Sequence, residues 1–293
     1  MGLKQSKQIR TQRTVYFENG SIKCEEWRKD NIFHRDEDDK PALIEYYEDG
    51  KFKSKQWFKD GKRHRDLHPN GEVNNPAIIE YYENGNIKSQ KWCKNGYGHR
   101  DDEGPTIIEY YDNNTLRSRK WYQNGKAHRN ADLPALMEYY ENGKIKARGW
   151  YQNGKCHRKD YSVNKDEPTF ITYYTNGKIK SQGWYQNGKA HRENGPALIK
   201  NKYHVKYSHE SRDKRTSKII EEFVFCQNGV YRVEAWYKNG KLHNSNGPAY
   251  IRYQNEVKIF EFWFNNGKRY NKFGFKSLDY FPNGQVKEKI LTV

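Results

Sequence analysis

A histidine that lies seven residues after a tryptophan recurs along the chain, and an arginine usually follows it. This pair is the first candidate for chemistry. The tryptophans are Trp27, Trp57, Trp92, Trp121, Trp150, Trp184, Trp236 and Trp263. The phased histidines are His34, His64, His99, His128, His157, His191 and His243, with Tyr270 in the corresponding position after the last tryptophan. The arginines are Arg35, Arg65, Arg100, Arg129, Arg158 and Arg192.

These pairs are open to a functional and a structural interpretation. Arginines in a row along one edge would form a basic rail for phosphate groups of lipids or nucleic acids. Because each histidine keeps its distance from a tryptophan, a structural role is also indicated, in which the ring hydrogen-bonds the next repeat. Both hold together if the histidine is structural and the arginine exposed. One histidine per repeat lacks the converging ligands of a zinc site, so we expect no metal and no cofactor.

The first ten residues, MGLKQSKQIR, form a second candidate site. They fit the acceptor pattern for N-myristoylation, with Gly2 as the modified residue and Ser6 in the required position. One myristoyl chain alone binds membranes only marginally, so a second signal is needed. Basic residues near an anionic leaflet each add about 1 kcal/mol. The candidates for that contact are Lys4, Lys7, Arg10 and Arg13.

Composition indicates an ordered protein in a reducing compartment. A net charge of +17 and low hydropathy would suggest disorder, but the 293 residues include 8 Trp, 24 Tyr and 13 Phe. The four cysteines show no C-x-x-C spacing, which favours free thiols. With no signal peptide and no apolar run long enough to span a bilayer, we expect an intracellular protein that is not secreted.

The pairs belong to a longer repeated block, P-A-x-I-E-Y-Y-x-N-G-x-I-K-S-x-x-W-Y-x-N-G-K-x-H-R. Proline stands 16 residues before five of the tryptophans, and two Asn-Gly turns lie 11 residues apart. Asn-Gly between β-rich segments predicts hairpins with type I′ turns. Centring the second hairpin on Asp49 and Gly50 predicts that Tyr46 faces Lys53. A core face is then expected from Ala42, Ile44, Tyr46, Lys53 and Trp57.

This block, followed by N-G-P-A at 194–197 and 246–249, resembles the MORN-repeat variant, a relative of the membrane occupation and recognition nexus repeat. The resemblance covers residues 11 to 293. It implies β-hairpin ribbons that act mainly as scaffolds with membrane or protein contacts, as in long arrays from large DNA viruses of amoebae. This chain departs from the standard pattern in its longer unit and in the arginine that follows the histidine.

The predicted fold is therefore all-β, an elongated antiparallel β-hairpin repeat ribbon of about nine units. The predicted organisation is a basic arm at 1–10, repeats one to six at 11–200, a basic insertion at 201–218 and repeats seven to nine at 219–293.

The predicted function is that of a non-enzymatic scaffold, because no catalytic motif is present and every candidate group is repeated. Its expected partners are proteins and an anionic membrane surface, with no small-molecule substrate. It would lie at the cytosolic face of a membrane or inside a virion, as a structural or host-interaction protein that could link capsid to inner membrane. The alternative is a soluble basic protein that binds or packages nucleic acid.

Overall fold

The computed structural model describes residues 9–35, 39–65, 75–158, 166–203, 230–270, 275–280 and 285–291. The chain divides into two compact units, Met1–Lys155 and Cys156–Val293. Gly2, Lys4 and Lys7 of the predicted arm lie outside the described residues, as do residues 204–218 of the predicted insertion.

The first unit is built from long strands that alternate with very short ones. In chain order these are β1 (Arg10–Tyr16), β2 (Ile22–Lys29), β3 (Ile32–Phe33), β4 (Leu43–Tyr46), β5 (Phe52–Gln56), β6 (Phe58–Lys59), β7 (Lys62–Arg63), β8 (Ile78–Tyr81), β9 (Ile87–Lys91), β10 (Cys93–Lys94), β11 (Tyr97–Gly98), β12 (Ile107–Tyr110), β13 (Leu116–Lys120), β14 (Tyr122–Gln123), β15 (Lys126–Ala127), β16 (Leu136–Tyr139), β17 (Ile145–Gly149) and β18 (Tyr151–Gln152). The next strand, β19 (Lys155–Cys156), lies at the boundary between the units.

The second unit repeats the same alternation. Its strands are β20 (Phe170–Tyr173), β21 (Ile179–Gly183), β22 (Tyr185–Gln186), β23 (Lys189–Ala190), β24 (Leu198–Tyr203), β25 (Val230–Ala235), β26 (Tyr237–Lys238), β27 (Lys241–Leu242), β28 (Tyr250–Gln254), β29 (Val257–Phe262), β30 (Phe264–Asn265), β31 (Lys268–Arg269), β32 (Phe275–Tyr280) and β33 (Val286–Leu291).

Each repeat consists of one long hairpin followed by one small hairpin. The long strands β4 and β5 pair antiparallel, and β5 then pairs with β8, the first long strand of the next repeat. The small hairpin between them joins β6 to β7. The expected all-β architecture of antiparallel hairpin repeats is confirmed.

The two turns of a repeat have different geometries. In the first turn, Gly50 alone has a positive φ, at 81°, and the Tyr47 N–H donates to the Lys51 carbonyl at 2.9 Å. This is a three-residue loop that ends in a left-handed glycine. In the second turn both Asp60 (φ 48°) and Gly61 (φ 74°) are left-handed, as a type I′ turn requires. The type I′ prediction is right for the second turn and wrong for the first turn at Gly50. In a later repeat the residues of the first turn, Asn255 (φ 50°) and Glu256 (φ 63°), are both left-handed.

A bulge also shifts the register of the long hairpin. Glu45 pairs with Ser54 but Tyr46 pairs with Phe52, so one extra residue lies on the second strand. The Phe52 and Tyr46 rings are 5.4 Å apart between centroids, whereas Lys53 Nζ lies 6.0 Å from the Tyr47 ring centroid. The prediction that Tyr46 faces Lys53 is therefore wrong, because it assumed an unbroken period-two alternation, whereas the bulge adds one residue to the second strand.

The buried positions are the tryptophans and the small residue after each proline. Six of the tryptophans are 6–8% exposed, and Ala42, Ala77, Ala197 and Ala249 are fully buried. The Trp57 backbone N–H donates to the Ala77 carbonyl at 2.9 Å, so the tryptophan of one repeat and the small residue of the next are neighbours. The core is thus shared between successive repeats, as in other repeat proteins.

Two sequence boundaries differ in the structure. Arg10 was expected in the basic arm at 1–10, but it lies in β1 together with Arg13, which pairs with Glu26 of β2. Both side chains are exposed. The predicted insertion was expected between two sets of repeats. Instead β24 pairs directly with β25, which places residues 204–229 between the two strands of one hairpin.

Candidate interaction surface

The repeated arginines pack on the repeated tryptophans. The guanidinium carbon of Arg129 lies 3.8 Å from the Trp121 ring centroid, and that of Arg192 lies 3.7 Å from Trp184. The same stack occurs at Arg35, Arg65 and Arg100, at 3.8–4.2 Å. Each of these five arginines also donates through Nη1 to the carbonyl of the following proline, as from Arg129 to Pro134 at 3.1 Å.

Several of these guanidinium charges are paired inside the repeat. Arg65 forms two bonds of 2.6 Å to the Asp39 carboxylate, and Arg192 forms bonds of 2.7 and 2.6 Å to Asp166. The side chains of both arginines are only 12–14% exposed. The expectation of an exposed arginine rail is corrected here, because a guanidinium stacked on an indole and paired with a carboxylate offers little surface to a phosphate.

The tryptophans also fix the segment that connects successive repeats. The Trp57 Nε1–H donates to the Asp39 carbonyl at 2.9 Å, and Trp121 donates to Glu103 at 3.0 Å. Asp39 and Glu103 are left-handed, with φ of 48° and 57°. The indole N–H therefore provides a hydrogen-bond donor for a backbone carbonyl in the turn, which would otherwise lack a partner.

The phased histidines connect each small hairpin to the next one. In every repeat the histidine Nδ1 accepts the N–H of the residue that opens the next second turn, as from Asn153 to His128 at 3.2 Å. A backbone N–H can only donate, so this nitrogen carries no proton. The turn glycine donates as well, from Gly154 to the Ala127 carbonyl at 2.8 Å. The other donors to histidine are Asp60, Asn95, Asn124, Asn187, Asn239 and Asn266, at 3.0–3.4 Å.

Replacing His128 with alanine should lower the free energy of unfolding by about 1–3 kcal/mol, because the Asn153 N–H loses its acceptor. Urea unfolding followed by circular dichroism measures this change. The control is Lys126→Ala on the same small hairpin, whose side chain is exposed. Equal unfolding midpoints for the two variants would contradict a structural role for the histidine.

A second connection between repeats was not expected from the sequence. In three Tyr-Tyr pairs the hydroxyl of the second tyrosine donates to the carbonyl of the first tyrosine in the next repeat. The bonds are Tyr47 to Tyr81 at 2.8 Å, Tyr82 to Tyr110 at 2.9 Å and Tyr111 to Tyr139 at 2.8 Å. The repetition of Tyr-Tyr was visible in the sequence, but its hydroxyl partner lies 28 to 34 residues away.

Charged groups on the long strands are also paired internally. The Ser89 hydroxyl donates to Glu80 at 2.5 Å and Lys91 Nζ donates to it at 3.0 Å, and Glu109 has the same partners in Ser118 and Lys120. Burial acts most strongly on Glu80 and favours its protonated form, but the hydroxyl and the ammonium together outweigh it and lower the pKa. The repeated Glu-Ser-Lys group therefore holds a stable carboxylate.

Other titratable groups become less reactive on burial. The Tyr46 hydroxyl donates to Glu25 at 2.5 Å, and burial together with this carboxylate raises the pKa of Tyr46 to about 12. Burial raises the pKa of the Cys93 and Cys156 thiols, both of which are free. Within the described ranges, no cluster of three or more His, Cys, Asp or Glu side chains could hold a metal ion. No helix in that part of the chain could cross a membrane.

An apolar position is exposed at the start of the second long strand in several repeats. Ile22, Phe52, Ile179 and Val286 are 37–42% exposed. Lys55 Nζ lies 3.6 Å from the Phe52 ring centroid, and burial lowers the pKa of this lysine. Ile22 and Phe52 begin the second long strands of two successive repeats in the first unit, and we call these two residues the strand-start pair. Rings and aliphatic groups beside an ammonium group suit a partner that has both apolar and anionic groups.

Comparison with known proteins supports the repeat assignment. Three segments, residues 78–91, 136–153 and 169–187, match the MORN repeat variant. The second segment runs from the start of β16 to the second turn, so it includes the long hairpin and the first strand of the small hairpin. No curated protein matches the chain.

Proposed function

Because three segments of this chain match the MORN repeat variant, we propose that the protein is a non-enzymatic scaffold attached to the cytosolic face of a membrane. MORN repeats mediate contacts with proteins and membrane lipids. The strand-start pair supplies an apolar surface for a protein partner, and the N-terminal residues supply the membrane anchor.

The observation that carries the scaffold proposal is the repetition of the same polar contacts in several repeats. The His128–Asn153, Tyr111–Tyr139 and Ser118–Glu109 bonds each have counterparts in other repeats. A catalytic site needs several different groups that converge at one point. A periodic surface instead offers similar contacts at regular intervals, which suits the assembly of partners.

The anchor proposal combines one acyl chain with local basic charge. Myristoylation of Gly2 gives marginal binding alone, and Lys4 and Lys7 add to it near an anionic leaflet. Arg10 and Arg13 contribute from β1, where both side chains are exposed. Four charges at about 1 kcal/mol each correspond to roughly a thousandfold in affinity.

Flotation with vesicles tests the anchor. Full-length protein is co-expressed with an N-myristoyltransferase and mixed with vesicles of phosphatidylcholine and phosphatidylserine. We expect a mass increase of about 210 Da for the wild type and no mass increase for Gly2→Ala. The wild type should float with the vesicles, and Gly2→Ala should bind at least about tenfold more weakly.

A charge control separates the arm from the general charge of the chain. Lys4→Gln/Lys7→Gln should weaken flotation, whereas Lys53→Gln/Lys88→Gln, which removes two exposed charges from the repeats, should leave it nearly unchanged. Absence of the mass increase, or flotation that does not depend on Gly2, would refute the anchor while leaving the scaffold proposal intact.

The resemblance to arrays from large DNA viruses of amoebae extends the proposal to a virion, where the chain would link the capsid to an inner membrane. Detergent extraction of purified particles followed by mass spectrometry tests this extension. The protein should partition with the membrane fraction and should cross-link to a capsid component. Absence from particles would restrict the scaffold to a host-cell membrane.

A further inference from the structure

Six lysines occupy the same position in the small hairpins, directly after the glycine of the second turn. All six side chains are exposed. They are Lys62, Lys126 and Lys155 in the first unit and Lys189, Lys241 and Lys268 in the second. We call each set of three a lysine row.

Stacking of the small hairpins aligns the lysines within each unit. A β-carbon built on Gly96 would lie 3.7 Å from Cβ of Lys62, and one built on Gly154 would lie 3.7 Å from Cβ of Lys126. The stems of Lys62 and Lys126 therefore lie against the turn of the next repeat. Because each repeat contributes two strands, successive positions in a row are spaced by about 10 Å.

The ammonium groups of these rows are not neutralised inside the protein. Among the residues that the structure describes, none of the six lysines has an ion-pair partner. The residues paired with five of them across the small hairpins include no acid. They are Lys59, Gln123, Gln186, Lys238 and Asn265. A line of unpaired cations attracts a linear polyanion.

One repeat of the first unit has an aromatic residue in the lysine position. Tyr97 stands between Lys62 and Lys126, and its side chain is 63% exposed. A β-carbon built on Gly125 would lie 3.2 Å from Cδ1 of Tyr97, so the ring rests on the stack of turns. An exposed ring within a line of cations can stack a nucleobase, which an acidic polypeptide does not offer.

We propose that the lysine row of the first unit, with Tyr97, binds single-stranded nucleic acid through its phosphates and one stacked base. The second-turn N–H groups of Asn153 and Gly154 already donate to the preceding repeat. They are therefore not available to read base edges, and binding is independent of sequence. The site does not depend on the membrane anchor.

Fluorescence anisotropy with labelled oligothymidylate and oligoadenylate of about twenty nucleotides tests the site, over about 50 to 200 mM salt. Wild-type protein should bind both with similar affinity. Lys62→Gln/Lys126→Gln/Lys155→Gln should bind at least about tenfold more weakly. The slope of log K against log salt is negative, and its magnitude should decrease by about 2 in this variant, since each phosphate contact contributes about 0.7. Tyr97→Ala should weaken binding about fivefold with an unchanged slope.

The matched control is Lys53→Gln/Lys88→Gln/Lys146→Gln, which removes the same charge from exposed positions on the long hairpins. It should change the affinity less than about threefold. An equal loss in both triple variants, or no binding by the wild type, would overturn the proposal. It would also fail if polyglutamate bound through these lysines and the oligonucleotides did not, since the partner would then be an acidic polypeptide.

Discussion

Replacing Trp121 with alanine should lower the free energy of unfolding by about 3–5 kcal/mol. The ring is 7% exposed and supports the Arg129 guanidinium, which lies 3.8 Å from its centroid. Its Nε1–H also satisfies the Glu103 carbonyl at 3.0 Å. The truncation therefore leaves a cavity, removes the surface under a half-buried cation and leaves a carbonyl without its donor.

Two further variants divide this loss into its parts. Trp121→Phe keeps most of the ring but removes the indole N–H, so it should cost about 1–2 kcal/mol. Tyr97→Ala, which removes a ring that is 63% exposed, should cost less than about 0.5 kcal/mol. Urea titration followed by circular dichroism compares the three variants. A loss below about 1 kcal/mol for Trp121→Ala would mean that the tryptophan is not the packing anchor of its repeat.

The sequence alone predicts the hairpin architecture because turn chemistry and tryptophan spacing are local signals. Gly61 follows an aspartate and joins two short strands, and its left-handed conformation follows from that pattern. The bulge opposite Tyr46 is different. The residue types of the two strands do not indicate that one strand contains an extra residue. The pairing of Tyr46 with Phe52 is therefore known only from the structure.

Exposure was the least predictable property of the candidate site. Arg129 and Lys126 are both basic and three residues apart, and nothing local distinguishes a packed cation from a free one. The difference depends on Trp121 and on the Pro134 carbonyl, which come together only when the connecting segment folds back over the ring. The lysine rows thus replace the arginines as the candidate residues for contact with a polyanion.

The contacts that join repeats are equivalent from one repeat to the next, and this equivalence makes deletions informative. Glu109 pairs with Ser89 of the preceding repeat, and Glu138 pairs with Ser118 in the same register. If a whole repeat were removed, Ser89 would meet Glu138. The histidine bonds behave in the same way, since His64 would then accept the N–H of Asn124 in place of Asn95.

Deleting residues 92–120, which is one period of 29 residues, should therefore leave a folded protein, whereas deleting residues 107–120 should not. The longer deletion joins Lys91 to Trp121 and keeps the repeat in phase. The shorter one removes β12 and β13 but keeps both flanking small hairpins, so β9 loses its pairing with β12 and β16 loses its pairing with β13. We expect a loss of roughly 5 kcal/mol or more, comparable with the whole stability of a typical domain.

Circular dichroism and urea unfolding of the two deletion variants distinguish these outcomes. The 29-residue deletion should retain a strand spectrum and a cooperative transition with a modestly lower midpoint, because one set of contacts between neighbouring repeats is lost. The 14-residue deletion should lack a cooperative transition, although it removes half as many residues. If both variants unfolded alike, stability would depend on contacts beyond neighbouring repeats, and the view of each repeat as an exchangeable unit would be wrong.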